Sequence, residues 1–560
     1  MSDGPGDHLL QRIARRATER GDEPAVRFFD PGTSELAVLT WAELDLLARR
    51  ARAGLEQLGL ARGDRLLLLL PTGPHYVGLL LGAFQAGIVP STLRTFGDGS
   101  DGTASQHELA ELVDAMAPRL VVADKPLAVA GAPCVQPESV LAAAPSDRPP
   151  DLQGPDAPAY VQFTSGSTGR PRGIALTWPA ILANIAAIAE RSGLTDQDRA
   201  VSWLPMYHDM GLFGALLTAL RAGTSITLMD TSAFVNGPLT WLRLIERVRA
   251  TITVAPPSAL QTCMQMLARR PGTYDLSSLE QIICGAEPLS QRFVHELADT
   301  LGRHGLRPTA LRPVYGLAEA TLAVTFPPQP RAPRIDRVDR HRFETEGVAV
   351  PAGPDDAQAR AWVSAGTPVA GTSVRIVGDD DVDRPDRHLG RILIQTPSLL
   401  AGHVEGGRFT AREGAWFDTG DLGYRADGEL YVTGRRKDLI IKNGRNHSPD
   451  RIEELVCLVD GVRRAVAFGL YDEARATEQI VVLAEVRTRD AADAAARDAL
   501  RLRIRRELSQ AGYLVDMVSF VDRGSLPLTT SGKVRRQLCR DRFVQRQAQA
   551  GQPSPAASSA

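Results

Sequence analysis

The stretch YVQFTSGSTGRPRGIAL, residues 160–176, crowds hydroxyls and glycines between an apolar run and a helical one. The hydroxyls of Thr164, Ser165, Ser167 and Thr168, with backbone amides left accessible by Gly166 and Gly169, can converge on an anion, and phosphate is the natural guest. The Lys-Ser/Thr pair that closes a Walker loop is missing, and GRPRG stands in its place. On composition alone a flexible Gly/Ser connector fits the same residues. The five cysteines (Cys134, Cys263, Cys284, Cys457, Cys539) are scattered, odd in number and form no CxxC pair. They read as core or incidental thiols, neither a disulfide framework nor a zinc site.

The loop needs a scaffold, and the chain supplies one. Short apolar runs alternate with amphipathic helical stretches: DRLLLLL then HYVGLLLGAFQAG, RAVSWLP then GLFGALLTALRAG, TSITLMD then PLTWLRLIERVRA, TITVAPP then ALQTCMQMLARR. That alternation predicts βα units around parallel sheet. From about Ala349, TSVRIVG, GRILIQTP and GELYVTG follow one another between Gly and Asp turns, the pattern of a small antiparallel unit. After TGRRKDLIIKNGRNHSPDRIEELV the pattern restarts with AVAFGLYD, QIVVLAEVRT, AADAAARDALRLRIRREL and MVSFVDR. The expected fold class is α/β: a large N-terminal domain of βα-layered subdomains plus a small β unit over 1–434, then a small α+β domain over 435–548. The tail GQPSPAASSA, within 549–560, has little to bury and is expected to be disordered.

Whole-chain numbers narrow the partners. With 560 residues and 43% hydrophobic content the chain exceeds one compact domain, and a formal net charge of -2 implies no field broad enough for nucleic acid or anionic lipid. The N-terminus lacks a basic segment followed by an apolar one, and RLLLLLPTGPHYVGLLLGA is broken by Pro71, Gly73, Pro74 and His75 well short of a membrane span. A cytoplasmic protein without membrane insertion is expected.

Six motifs, TSGSTGRPRG, VSWLPMYHDMGLFG, CGAEPLS, RPVYGLAEATL, WFDTGDLGYRADGELYVTGRRKDLIIKNGRNH and LPLTTSGKVRR, resemble in order those of the adenylate-forming superfamily. That superfamily holds acyl- and aryl-CoA synthetases, adenylation domains of peptide synthetases, luciferases and fatty acyl-AMP ligases. WLPMYHDMGL, GAEP, YGLAEATL and KDLIIKNGRNH look most like the fatty acyl-AMP ligase branch. The resemblance implies ATP and Mg2+ as cofactors. A carboxylic, fatty acid attacks the α-phosphorus of ATP to give acyl-AMP and pyrophosphate, and the acyl group then passes to the phosphopantetheine thiol of a separate acyl carrier protein. A carboxylate is already ionised near neutrality (pKa about 4), so the first step needs charge neutralisation and alignment, not a general base. The alternatives are an acyl-CoA synthetase or another carboxylate-activating relative and, from a different class, a nucleotide-binding protein without turnover.

Residue by residue, the resemblance makes Lys533 of TTSGKVRR the donor to the reacting carboxylate, carried on a C-terminal domain that moves between half-reactions, with Asp438 at the hinge. It gives Glu319 to the metal, Tyr315 and Gly316 to adenine, and Gly285, Ala286, Glu287 and Pro288 to a wall beside it. Asp421 and Arg435 fall to the ribose, and the loop Thr164, Ser165, Gly166, Ser167, Thr168 and Gly169 to the phosphates. His208 becomes a positioning residue at the mouth of the acyl pocket, whose wall comes from Met210, Gly211, Ser258 and Ala259; core packing accounts for these wall residues equally well. Two departures stand out. Arg172 replaces the usual lysine after the phosphate loop, changing donor geometry, and Ala318 precedes Glu319 where many relatives have threonine. Residues 326–362, rich in Pro, Asp and Arg and without clear period, resemble in position the insertion that distinguishes the ligase branch; a solvated surface loop is the alternative.

Overall fold

A computed structural model of the protein describes residues 7–94, 102–164, 172–328, 331–353, 356, 358–443, 445–473, 475, 477–486, 494–528 and 534–550. Its largest sheet orders seven strands as Leu311–Pro313, Gln281–Cys284, Ile252–Ala255, Arg199–Ser202, Ser225–Met229, Pro24–Phe29 and Leu36–Thr40. All neighbours pair in parallel except the last, antiparallel one. Ile252–Ala255 is buried at every position. Unbroken burial is what a parallel strand covered on both faces requires, and the apolar runs in the sequence carry it.

A second parallel sheet joins Val89–Thr92, Arg65–Leu69, Leu120–Ala123 and Cys134–Val135. The expected antiparallel unit is Ser373–Val377, Gly390–Gln395, Phe417–Ala426 and Glu429–Arg435. One hydrophobic core runs through these layers from Leu9 to Leu430, and a separate one begins at Ile440 and reaches Val518. The second core lies between the sheet Val462–Asp472, Thr477–Val486 and Met517–Val521 and the helices Pro449–Leu458 and Ala494–Gln510.

Two local expectations need correction. The Ser/Gly loop does not lead from strand to helix. Its flanks, Pro158–Thr164 and Arg172–Thr177, pair antiparallel, and the helix Trp178–Ser192 begins only afterwards, so the loop closes a hairpin. Residues 326–362 are not periodless either. Ile335–Val338 pairs antiparallel with Arg360–Val363, and the helix Arg340–Glu346 lies between them. Few apolar residues suffice because their partners are distant in sequence: Val338, Phe343 and Ala349 pack on Tyr424 and Tyr431 of the antiparallel sheet. The charged residues are paired too, Asp336 with Arg387 at 3.1 Å and Arg340 with Glu344 at 2.8 Å.

Candidate active site

A cavity of about 2600 Å³ opens where the carboxyl ends of five parallel strands meet the antiparallel sheet and the C-terminal unit. Its walls include Leu204, Thr231, Pro256, Ala286 and Val314, each following one of those strands. This is where an α/β sheet characteristically holds its ligand, because the loops leaving the strand ends diverge there.

On one side the polar residues converge. Asp421 and Arg435 sit directly opposite each other across neighbouring strands, and Arg435 Nε approaches Asp421 Oδ1 at 3.3 Å. Tyr315 donates its hydroxyl proton to Asp421 Oδ2 at 2.6 Å. Burial, reinforced by the Asp421 charge, pushes the Tyr315 hydroxyl well above its usual pKa. Glu319 lies on the 3-10 turn Ala318–Ala320, and burial raises its carboxyl, helped by Asp209 and Asp421 and opposed by Arg435. A cation would offset both the burial and the neighbouring carboxylates that raise this acid, so the donor chemistry fits a hard divalent metal.

The turn after Glu319 is strained. Thr321 has φ 64° and ψ −56°, and Leu322 N donates to Ala320 O at 2.7 Å, which makes a γ-turn. Two of the bonds that hold that geometry come from one loop: Thr321 Oγ1 donates to Ser398 O at 2.9 Å, and Leu400 N donates to Glu319 O at 2.8 Å. Both reach the same loop, so the backbone carrying Glu319 is fixed from outside its own segment.

The other side is apolar, lined by Ile188, Trp203, Phe234, Val254, Met210 and Ala259. The Trp203 and Phe234 rings stack with centroids 3.7 Å apart. His208 lies in a turn closed by His208 N donating to Pro205 O at 3.1 Å, and its own carbonyl accepts from Leu212 N, in the π-helix Met210–Leu217, at 2.9 Å. Ser258 and Glu287, expected on different walls, meet: Ser258 N and Oγ donate to Glu287 Oε2 and Oε1 at 2.9 and 2.8 Å. The Glu287 carboxylate thereby joins the expected adenine wall to the first turn of Pro257–Arg269.

His208, Met210, Ser258, Ala259, Ala286, Glu287, Pro288, Tyr315, Gly316, Glu319, Asp421, Arg435 and Asp438 all line the cavity. Gly211 and Gly285 stand outside the lining. Each permits a close approach behind the wall: a Cβ on Gly211 would lie 2.3 Å from Pro205 O, and one on Gly285 would lie 2.8 Å from Val314 Cγ2. Lys533 and Ser165, Gly166, Ser167, Thr168 and Gly169 lie outside the described residues, as does the side chain of Thr164.

Sequence reasoning missed Gln162, which is 3% exposed, lines the cavity and donates Nε2 to Tyr207 O at 2.7 Å, joining the strand before the Ser/Gly loop to the His208 turn. It also missed Trp203, although that residue lies inside a quoted motif, and Phe234, which no motif flags. Among the described residues no cluster of three or more His, Cys, Asp or Glu is placed to hold a metal, and no helix is long and apolar enough to cross a membrane.

Comparison with known proteins gives this geometry its class. The pattern of the AMP-binding enzyme family matches residues 13–404. Long-chain-fatty-acid–AMP ligase FadD26 of Mycobacterium tuberculosis H37Rv is 32% identical over 572 residues, spanning 95% of this chain and 96% of that one. JamA of Moorena producens, a medium-chain-fatty-acid–[acyl-carrier-protein] ligase, is 30% identical over 96% of this chain and 95% of its own. A Caulobacter vibrioides protein named as an acyl-CoA synthetase is 32% identical over 90% of this chain and 89% of its own. Among solved structures, one from a study of fatty acyl-adenylate ligases of E. coli and L. pneumophila superposes with a TM-score of 0.85 at 29% identity, covering 97% of this chain and 98% of that one. The chain belongs to the AMP-binding enzyme family, whose members use ATP.

Proposed function

We propose that this protein is a fatty acyl-AMP ligase that activates a fatty acid with ATP and hands the acyl group to the phosphopantetheine thiol of an acyl carrier protein. The observation that carries the reading is the continuity of one cavity from the apolar Trp203–Phe234 side to the Tyr315–Asp421–Arg435 side. Glu319 responds electrostatically to both sides, to Asp421 and Arg435 and to Asp209 beside His208.

In the first step a carboxylate oxygen forms a bond to the α-phosphorus and the bond to pyrophosphate breaks. In the second a thiol sulfur attacks the acyl carbon and AMP leaves. Asp421 accepts from the ribose hydroxyls with Arg435 beside it, Tyr315 packs on adenine, and His208 aligns the acid. Glu319 would hold Mg2+, which would supply positive charge against the phosphates. Lys533 supplies positive charge to the reacting carboxylate from a lid that starts at Arg435 and turns at Asp438.

The segment 326–362 supports a carrier protein over CoA as acceptor. The Arg340 guanidinium lies 4.5 Å above the Tyr513 ring and also donates to Ala511 O, while Arg360 Nη1 donates to the Tyr513 hydroxyl at 2.8 Å. These contacts tie the segment to the lid and limit its swing, an obstacle to the path that CoA needs.

Hydroxamate trapping across carboxylic acids of graded chain length tests the reading. Fatty acids should release pyrophosphate with Mg-ATP, and Lys533→Ala should slow that release by about two to three orders of magnitude. No release with any acid, or a mutant keeping more than about a tenth of the wild-type rate, overturns the assignment. With CoA as the only thiol, acyl-AMP should accumulate; acyl-CoA formed as fast as adenylate would favour an acyl-CoA synthetase.

A further inference from the structure

Arg536 opens the helix Arg536–Ala550 and serves three carboxylates at once. Its Nη1 donates to Asp438 Oδ2 at 2.5 Å, and Nη2 donates to Asp450 Oδ1 at 2.8 Å and to Glu453 Oε1 and Oε2 at 2.9 and 3.0 Å. Nε adds a contact to Glu453 Oε1 at 3.2 Å. The same Glu453 oxygen accepts from Ala467 N at 2.8 Å, on the strand Val462–Asp472. One guanidinium is therefore the common node of the lid helix Pro449–Leu458, a lid strand, and the 3-10 turn Arg436–Asp438 that precedes the lid core.

A plain structural ion cluster would need less. Asp450 and Glu453 already satisfy Arg536 inside the lid, and both are partly buried with it. Asp438 brings a third negative charge to a single cation, and it is the one member that precedes Ile440, where the lid core begins. Burial lifts the Glu453 carboxyl above its ordinary value, and the nearby Arg536 guanidinium opposes that rise more strongly than Asp450 adds to it. Because a guanidinium offers five N–H donors in a rigid fork, Arg536 can release Asp438 and keep its other partners, and the lid stays folded.

We propose that Arg536 is a positioning residue that sets the lid's orientation: by holding Asp438 it fixes the linker turn as seen here, and the lid turns between half-reactions by breaking that pair. The proposal rests on Asp438 being the hinge. The guanidinium touches neither substrate nor reacting atoms and acts through the turn it holds.

The test uses full-length protein, dodecanoic acid for pyrophosphate release, and dodecanoyl-AMP with pantetheine for single-turnover thiol transfer. Arg536→Lys keeps the charge and loses the fork, and Asp438→Asn keeps the shape and loses the charge. Each should change the ratio of the two half-reaction rates by about tenfold, and the double variant should change it no further, because both remove one contact. Amide hydrogen exchange across 436–442 should quicken in both single variants, a readout independent of turnover. Arg463→Ala, which breaks the lid pair of Arg463 with Glu485 at 2.9 Å, should lower lid stability and leave the ratio unchanged. Folded Arg536→Lys and Asp438→Asn proteins with wild-type ratios and exchange, or an additive double variant, overturn the proposal. If Asp438→Pro also leaves the ratio unchanged, the hinge reading fails as well; if it alone splits the half-reactions, only the role of Arg536 fails.

Discussion

Tyr315 shows how one residue serves two demands. Its ring lines the cavity while its hydroxyl gives its hydrogen bond to Asp421, so that carboxylate is held in place at the cavity wall. Tyr315→Phe removes one hydrogen bond to a charged acceptor, a loss of roughly 1.5–3 kcal/mol. The KM for ATP should rise at least about tenfold with kcat little changed, as steady-state pyrophosphate release would show. His8 is a residue whose titration reaches the fold. It caps the helix Leu9–Glu19 through Nδ1, stacks edge-on with Trp178 at 4.4 Å, and its Nε2 has no partner among the described residues. Burial lowers its pKa from 6.5 to about 4, so the unfolded chain takes up a proton that the folded one refuses. The stability it contributes is complete above pH 6.5 and is lost as pH falls towards 4, by about 3 kcal/mol at about 1.4 kcal/mol per pH unit. Urea unfolding at pH 7.5 and 4.5 should show that loss in the wild type and a flatter dependence in His8→Asn, which keeps a cap.

At the scale of elements, the hairpin and helix within 326–362 matter most. Shortening the segment would strip Val338, Phe343 and Ala349 from Tyr424 and Tyr431 and expose the antiparallel sheet, confusing instability with altered specificity. The contacts with the lid are separable from that core. Arg340→Ala combined with Arg360→Ala removes the cover over Tyr513 and its hydroxyl partner while leaving the buried apolar residues in place. The double variant should raise CoA acylation without raising acid-dependent pyrophosphate release, both followed by product chromatography. An unchanged acyl-CoA yield would mean that the segment does not restrain the lid.

At the scale of the molecule, the main core that reaches Leu430 and the core that begins at Ile440 are joined by a short run, and the cavity is lined from both. A reaction with two successive attacking groups, carboxylate and then thiol, suits two arrangements of such units. Asp438→Pro restricts φ at the joint and removes its N–H. It should separate the half-reactions, leaving one close to wild type and slowing the other by an order of magnitude or more in single-turnover assays. Equal losses in both would count against a hinge at this position.

The sequence by itself carried the parallel sheets, the antiparallel unit and many of the residues that line the cavity. Each of those depends on a local signal: an apolar run for a strand buried on both faces, a helical period, or a motif such as YGLAEATL. It could not tell that the Ser/Gly loop closes a hairpin, because Arg172–Thr177 becomes a strand only by pairing with Pro158–Thr164 and Gly402–Glu405. Nor could it order 326–362, where Val338, Phe343 and Ala349 find their core on Tyr424 and Tyr431, or join Glu287 to Ser258 and Arg536 to Asp438, 98 positions apart. Local periodicity reports which face of an element is apolar. Which distant residue meets that face, or neutralises a buried charge, is decided only when the chain closes on itself, because the free energy of burial and pairing depends on spatial neighbours and not on sequence neighbours.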